Sequence, residues 1–222
     1  LVAYVMETLY LRAKERKDTK LTQLDYRNLG GVHGAINTLA EQAYASLPFQ
    51  DEIIKEKVLK TVFFELITLT EDENKQLVPT RRRANLELFL ENSLEKQLID
   101  LFTDARLLVK SDTTVEVANE AILRHWDALS NWLTEIKGDL ALYRQFERDA
   151  QVWKNRGGDA PLPLHESLHY FYKALETLNL VWDKLQEPLK TYTEPEANRL
   201  LREIKNPTTT HQRRFTIGDR LS

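Results

Sequence analysis

Apolar residues recur every three or four positions over most of the chain, which is the spacing of one face of an α-helix. The pattern predicts helices over 1–16, 32–47 and 51–68. Their apolar stripes are Val2, Val5, Leu9 and Ala13, then Val32, Ile36, Leu39, Ala43 and Leu47, and then Ile54, Val58, Val62 and Leu66. Thr22 is expected to cap a short intervening helix, which the following Gly-Gly pair should end.

The segment 77–137 has a different pattern. A helix-like run over 82–90 and a helix capped by Ser93 precede RLLVKSDTTVEVA. In that stretch two short alternating runs flank a Ser-Asp-Thr-Thr turn, which predicts a β-hairpin. Helices followed by one hairpin are typical of a winged-helix domain, in which the hairpin is the wing.

The last third is predicted to be helical again. Two apolar stripes support this, namely Tyr143, Phe146, Ala150 and Trp153, and Leu168, Phe171, Leu175, Leu178, Trp182 and Leu185. The second stripe is too short for an independent coiled coil, so we assign it to packing within the chain. Pro188 and Pro195 bracket a predicted linker before a helix over 196–204. The segment after Pro207 is expected to have no core of its own.

Composition narrows the possible functions. The net charge of -3 at pH 7 argues against a dominant non-specific role on nucleic acid or membranes. The absence of cysteine excludes disulfides and thiol chemistry. The opening LVAYVM run is too short to span a bilayer, and we expect a mainly helical, soluble protein of the cytoplasm. Because the chain starts at Leu1, we expect it to be a piece of a longer polypeptide.

The sequence contains no GxxxxGK[ST] phosphate-binding loop. GGVHGAIN is rich in glycine but lacks the lysine that such a loop needs, and we interpret it as a helix end and a new helix start. We therefore assign no catalytic residue, and we expect that this chain is not an enzyme.

His165-Glu166-Ser167-Leu168-His169 is a literal H-E-x-x-H, which on a helix can bind zinc and activate a water. However, His165 follows a Leu-Pro pair and should lie in a first helical turn, and Leu168 belongs to the packing stripe. Glu194, a candidate third ligand, lies in the predicted linker. We favour two surface histidines and assign no metal ligand. A zinc-dependent hydrolase is the alternative.

The run RRR at 81–83 is a compact basic cluster. In a DNA-binding winged helix, the recognition helix would be residues 93–103, which carry Glu95 and Asp100 against Lys96. A helix in a DNA groove faces phosphates, so an acidic balance disfavours this role. We interpret the arginines as a solvated face or a contact with a neighbouring domain. A DNA-binding winged-helix transcription regulator is the other alternative.

Between Leu21 and Trp132 the chain resembles the bacterial STAND NTPases, which are signal-transduction ATPases with numerous domains. The resemblance rests on LTQLDYRNLGGVHGAI, AYASLP, VPTRRR, LFTDARLLV and VEVANEAILRHWDALSNWL, in this order. It implies three regions that follow a nucleotide-binding core absent from this chain. These are a helical domain over 1–76, a winged-helix domain over 77–137 and a helical arm over 138–205.

A second resemblance covers the C-terminal tail. EPEANRLLREIKNPTTTHQRRFTIGDRLS is similar to the linker into a formylglycine-generating-enzyme-like domain, which has a C-type-lectin fold. This implies that residues 206–222 are a linker to a downstream domain. Such domains are sometimes variable ligand-binding modules, including targets of diversity-generating retroelements.

Asn119 lies where the VEVA run meets the next helix. In the STAND proteins that this chain resembles, the stretch usually reads VEVAHEALLR, and its histidine lies near the ADP phosphate. The Asn119 amide can still donate a hydrogen bond to a phosphate oxygen but cannot be charged, so the contact should be weaker. Asparagine is also a favoured N-cap for a helix beginning at Glu120, and the two roles are compatible.

The resemblance implies a non-catalytic regulatory segment of a signalling ATPase, which couples nucleotide state to sensing and oligomerisation. ADP or ATP would be the cofactor of the parent protein, and no cofactor is assigned to this chain. The implied partners are the upstream nucleotide-binding domain and the downstream sensor or effector domain of the same polypeptide. The implied assembly is a homo-oligomer on activation, without nucleic acid or membrane.

Overall fold

The computed structural model describes residues 22–157 and 162–221, together with Met6, Tyr10, Ala13, Lys14 and Lys20. The described residues are mainly helical with two small antiparallel sheets, which confirms the predicted fold class. The chain divides into two compact units, Leu1–Glu135 and Ile136–Ser222. Apart from single positions, the predicted helix over 1–16 lies outside the described residues. The finer domain bounds of the sequence analysis stay predictions.

The first unit combines helices with both sheets. Its described helices are α1 (Gln23–Asn28), α2 (Gly31–Ala45), α3 (Glu52–Leu66), α4 (Leu94–Asp104), α5 (Ala121–His125) and the start of α6 (Asp127–Asn155). Its described strands are β1 (Ile67–Glu71), β2 (Leu77–Arg81), β3 (Ala84–Asn85), β4 (Leu108–Lys110) and β5 (Thr114–Val117). Strands β1 and β2 form one antiparallel hairpin. The other three strands form a sheet of order β3-β5-β4.

Polar side chains begin three helices of this unit, because the first main-chain N–H groups of a helix have no partner within it. Thr22 and Asp25 form a capping box at α1, in which each side chain accepts the other's main-chain N–H. Asp51 caps α3, and Ser93 caps α4 by accepting the N–H of Lys96. The predicted caps at Thr22 and Ser93 are confirmed.

The glycines of GGVHGAIN allow a tight junction between α1 and α2. Gly30 has φ 76, a conformation that costs other residues free energy. A Cβ atom on Gly34 would lie 2.0 Å from the carbonyl oxygen of Leu29. The interpretation as a helix end followed by a helix start is therefore confirmed.

The hairpin β1–β2 is missing from the sequence prediction, which has a helix over 51–68 and then an acidic loop. The structure ends α3 earlier, and ITLTE continues as a strand. The acidic segment is the hairpin turn, in which Asp72 Oδ1 accepts the N–H groups of Asn74 and Gln76. Lys75 adopts φ 59 there. ITLTE alternates apolar and polar residues, as a strand does, but the predicted helix over 51–68 includes its first two residues.

The helix-like segment 82–90 is not an α-helix, so that prediction is wrong. It contains β3 and one 3₁₀ turn, Leu86–Leu88. The first residue of the turn donates its N–H to the carbonyl of Thr113, and β3 pairs with β5. Pairing with a distant strand overrides the local helical pattern, as is common in sheets.

The predicted hairpin in RLLVKSDTTVEVA is confirmed. Strands β4 and β5 pair with Leu108 opposite Val117 and Lys110 opposite Val115. The two valines are fully buried, while Glu116 between them is not, because alternate residues of a strand point to opposite faces.

Aromatic side chains form the centre of the first unit. Trp126 is fully buried, and its ring centroid lies 6.0 Å from Phe63, 5.7 Å from Phe102 and 5.9 Å from Tyr44. Two residues of the predicted stripes, Val32 and Ile54, are instead exposed. Both lie in the first turn of their helices.

The second unit is helical over its described residues. It contains the rest of α6, then α7 (His165–Thr177), a 3₁₀ turn (Trp182–Lys184), α8 (Leu189–Tyr192), α9 (Glu196–Lys205) and α10 (His211–Leu221). Phe171 is fully buried, with its ring centroid 4.6 Å from Phe146 and 6.0 Å from Tyr143. The first predicted stripe of this region therefore does face a core.

The second predicted stripe is helical only in its first half. Helix α7 ends at Thr177, and Asn179 adopts φ 55, a left-handed conformation that commonly ends a helix. The N–H of Leu180 then bonds back to the carbonyl of Leu175. The seam that was predicted to run on to Leu185 as one helix is therefore wrong beyond Thr177.

Two segments that were predicted to be linkers contain helices. Helix α8 lies inside the predicted linker, where Leu189 is buried and Tyr172 donates its hydroxyl hydrogen to the carbonyl of Thr193. Helix α10 lies in the C-terminal tail, with Ile217 buried and Arg213 paired to Glu203 at 2.7 and 2.9 Å. The tail therefore forms a helix with one buried apolar side chain.

A matched pair of leucines tests the packing of the first unit. Leu98 on α4 is fully buried, whereas Leu90 just before α4 is 79% exposed. We expect Leu98→Ala to lower the free energy of unfolding by about 2–5 kcal/mol, because it leaves a cavity. Leu90→Ala should change it by no more than about 0.5 kcal/mol. Urea denaturation followed by circular dichroism measures both, and equal effects would contradict the assigned core.

Candidate functional site

Asn119 lies at an exposed corner between β5 and α5. Its side-chain oxygen Oδ1 accepts the main-chain N–H of Ala121 at 2.8 Å, and its carbonyl accepts the N–H of Ile122. Asn119 therefore supplies an acceptor to the first turn, as expected of a cap, but α5 begins at Ala121, so its N-cap residue is Glu120, one position later than predicted. With Oδ1 engaged in the cap, the side-chain NH₂ is the group that can donate to a ligand.

The arginine run lies against the same corner. Glu120 Oε1 accepts the main-chain N–H of Arg81 at 3.1 Å, which joins the end of β2 to the start of α5. Arg83 bonds to Glu116 on β5 at 3.1 and 3.4 Å. The hydrogen bond from Arg83 lowers the pKa of Glu116, and the charge of Arg81 acts in the same direction. The structure thus brings together two features that the sequence showed far apart, Asn119 and the basic run.

The other end of α5 is held by polar contacts to α2. The indole N–H of Trp126 donates to Glu41 Oε1 at 2.6 Å, and the main-chain N–H of Asp127 donates to Asn37 Oδ1 at 3.0 Å. One turn earlier on α2, His33 contacts His125 at this C-terminal end of α5. We call His33, Asn37 and Glu41, together with residues 125–127, the polar seam.

The first contact of the polar seam is a pair of histidines. The ring centroids of His33 and His125 are 4.7 Å apart, and His33 Nε2 lies 3.7 Å from Asp127 Oδ1. The pKa of His125 is lowered, first by burial and then by the charges of His33 and Arg124. This seam was not predicted from the sequence, although His33, Asn37 and Glu41 recur at the four-residue spacing that puts them on one helix face.

A recess of about 340 Å³ lies beside the polar seam. Its lining is acidic and aromatic, and consists of Glu41, Tyr44, Glu52, Glu56, Leu59, Lys60, Ala128, Asn131, Trp132 and Glu135. Burial and the neighbouring glutamates raise the pKa of Tyr44 to about 12. Glu52 pairs with Lys55 at 3.1 Å and Glu56 pairs with Lys60 at 2.5 Å, so two of its carboxylates are neutralised from within the chain.

The H-E-x-x-H string lies in the second unit, apart from these groups in the sequence. Helix α7 begins at His165, and Leu168 is fully buried while His169 is exposed. Glu194 forms an ion pair with Arg202. Among the residues that the structure describes, no three His, Cys, Asp or Glu side chains are grouped so as to hold a metal ion.

Helix α4, the candidate recognition helix, faces the core with Leu98 and Phe102. Its Lys96 pairs with Glu91 at 2.6 Å, and its Asp100 pairs with Lys110 of β4. The basic side chain of this helix is therefore already engaged by a carboxylate. Within the described parts of the chain, no helix has the length and apolar character needed to cross a membrane.

Two substitutions at Asn119 distinguish the capping oxygen Oδ1 from the side-chain NH₂. Asn119→Ala should lower the free energy of unfolding by about 1 kcal/mol, because the N–H of Ala121 loses its acceptor. Asn119→Asp keeps a capping oxygen and should stay close to the wild type. Chemical denaturation of the three proteins at pH 7 measures the differences. Equal losses in both variants would show that Oδ1 does not stabilise the corner.

Comparison with known proteins adds the family. Residues 1–161 match the family model described as Novel STAND NTPase 1 (nSTAND1), which is well over half of the chain. The search of curated proteins and the search of solved structures both return no match. The matched range includes the polar seam, the basic run and the Asn119 corner. The chain therefore belongs to the nSTAND1 family of STAND NTPases.

Proposed function

We propose that this chain is a non-catalytic regulatory segment of a STAND signalling ATPase, which docks on a nucleotide-binding core and restrains it. The observation that carries the proposal is the family match over residues 1–161. In this arrangement the core binds ADP or ATP, and this chain supplies contacts that depend on which nucleotide is bound. Catalysis belongs to the core.

The topology of the small sheet supports a winged-helix assignment for residues 77–137. Strand β3 precedes α4, and β4 and β5 follow it, yet β3 pairs with β5 in the order β3-β5-β4. A strand before the helix that joins a hairpin after it is the arrangement of a winged helix. Hairpin β4–β5 is then the wing, and Asn119 follows it directly.

The Asn119 corner has the groups needed for a weak phosphate contact. Asn119 is exposed, and because its Oδ1 accepts the N–H of Ala121, its side-chain NH₂ is the group that can donate to a phosphate oxygen. Arg81 and Arg83 lie at the same corner, although Arg83 is engaged by Glu116. A neutral amide binds phosphate less strongly than a protonated histidine. We therefore propose that the Asn119 corner favours ADP over ATP by only a small difference in affinity.

The regulatory step that we propose is a rigid-body movement. ADP holds the first unit against the core, and a signal from a downstream sensor or effector domain reaches it through the helical arm at 138–205. Release exposes surfaces for oligomerisation. The first unit is either docked on the core or released from it. The bound nucleotide shifts this equilibrium by the difference between its affinities for the two arrangements. We place this protein in the cytoplasm, where ATP and ADP are available.

The isolated chain should bind nucleotide only weakly. A single neutral hydrogen bond contributes about 1 kcal/mol, whereas micromolar binding requires about 8 kcal/mol. We therefore expect residues 1–222 to bind ADP and ATP no more tightly than about 1 mM in isothermal titration calorimetry. Micromolar binding would contradict the proposal that the principal phosphate site lies on a separate core.

Asn119 should set how firmly ADP is retained when the core is present. In a polypeptide that includes the core, we expect Asn119→His to slow ADP release and Asn119→Asp to speed it, because the carboxylate repels phosphate. Release of a fluorescent ADP analogue measures both rates.

Asn85 provides a matched control for this experiment. It also caps a short helical turn, with Oδ1 accepting the N–H of Glu87 at 3.0 Å, and it is exposed. Asn85→His and Asn85→Asp should leave ADP release unchanged. Release rates that do not respond to either Asn119 substitution would remove the phosphate contact from the proposal.

A further inference from the structure

The polar seam holds the C-terminal end of α5 through three side chains of α2, each one turn from the next. Glu41 accepts from the indole of Trp126, and Asn37 accepts from the main chain of Asp127. The third contact is the pair His33 and His125. Helix α5 is only five residues long, which is too short to be stable without such anchors.

The three contacts differ in their response to pH. The Asn37 amide does not titrate, and carboxylates ordinarily titrate near pH 4. Imidazole is the side chain that ordinarily changes charge between pH 5 and pH 8. A mild acidification therefore acts on the histidine contact and leaves the other two chemically unchanged.

The histidine pair accommodates one proton better than two. One ring of the pair has a carboxylate beside it, because Asp127 Oδ1 lies 3.7 Å from His33 Nε2. A second proton on His125 would place two positive rings 4.7 Å apart, beside the positive charge of Arg124. Protonation of both rings therefore opposes the contact that α5 makes with α2.

The carboxylates that face α5 are each engaged by another group. On α2 the titratable groups are His33 and Glu41, and the Glu41 carboxylate is engaged by the indole of Trp126. On α6 the nearby charge is Asp127, which lies beside His33. At the start of α5, one oxygen of Glu120 accepts the main-chain N–H of Arg81, and the other oxygen lies 3.9 Å from the Arg124 guanidinium.

We propose that the polar seam is an acid-sensitive latch, in which protonation of both histidines releases the C-terminal end of α5 from α2. The pKa of His125 is lowered in the closed seam, so the open form binds the second proton more tightly. The closed form is fully favoured above the ordinary histidine pKa of about 6.5, and this advantage is lost as the pH falls below it. The proposal does not depend on the nucleotide contact at Asn119.

Opening of the latch should also affect the N-terminal end of α5. Asn119 caps the first turn of this helix, and His125 is its last residue. Because α5 has little stability of its own, release of one end should loosen the other. Acidification would then weaken the order of the Asn119 corner without any direct effect on Asn119, which has no titratable side chain.

Nuclear magnetic resonance of the 222-residue chain tests the latch. The histidine resonances give the titration midpoint of His125, and we expect it below 6.5 in the wild type and higher in His33→Gln. Amide hydrogen exchange gives the protection of α5. Between pH 7.5 and pH 5.5 we expect the protection factors of Leu123 and Trp126 to fall by at least about twofold in the wild type.

Two variants and one control make the outcome decisive. His33→Gln and His125→Gln each remove one of the two charges, so the acid-dependent loss of protection in α5 should be largely absent from both. His169→Gln, which changes an exposed histidine of α7, should behave as the wild type. An unchanged His125 midpoint in His33→Gln, or an equal loss of protection in all four proteins, would overturn the proposal.

Discussion

The burial of Trp126 is the constraint on which the first unit depends. Its ring lies within about 6 Å of aromatic rings from three helices, Tyr44 of α2, Phe63 of α3 and Phe102 of α4. A buried indole N–H also needs an acceptor, and Glu41 of α2 provides it. One side chain thus satisfies a packing requirement and a polar requirement, and both are met only when α2, α3, α4 and the α5–α6 corner are assembled together.

Local signals were sufficient for part of the fold. The caps at Thr22 and Ser93 and the alternation around the β4–β5 turn act over a few residues, so they are readable from the sequence. The failures have different causes. Strand β3 forms because it pairs with β5, some thirty residues later in the chain, which no local pattern reveals. Asn179 ended α7 by adopting a left-handed conformation, which asparagine tolerates but does not require.

The candidate site likewise combines a contact between neighbours in the sequence with contacts between distant residues. The cap at Asn119 was predictable because it needs only the next two residues. The contact between Arg81 and Glu120 spans 39 positions, and those of Glu41 with Trp126 and Asn37 with Asp127 span 85 and 90. Such contacts depend on tertiary packing, so the sequence could suggest a polar face on α2 but could not identify what that face binds. The partners of the basic run are also distant in the sequence, namely Glu116 of β5, Glu120 just before α5 and Glu65 of α3.

Helix α5 joins two points whose positions are both fixed. Asn119 ends the sheet segment, and Trp126 fills the aromatic centre, with five helical residues between Glu120 and Trp126. An α-helix turns by about 100° and advances by about 1.5 Å for each residue. A single insertion or deletion in this interval would therefore rotate the indole away from Glu41 and out of its pocket, whereas many substitutions on the exposed side would not. The length of this segment is thus constrained more tightly than its composition.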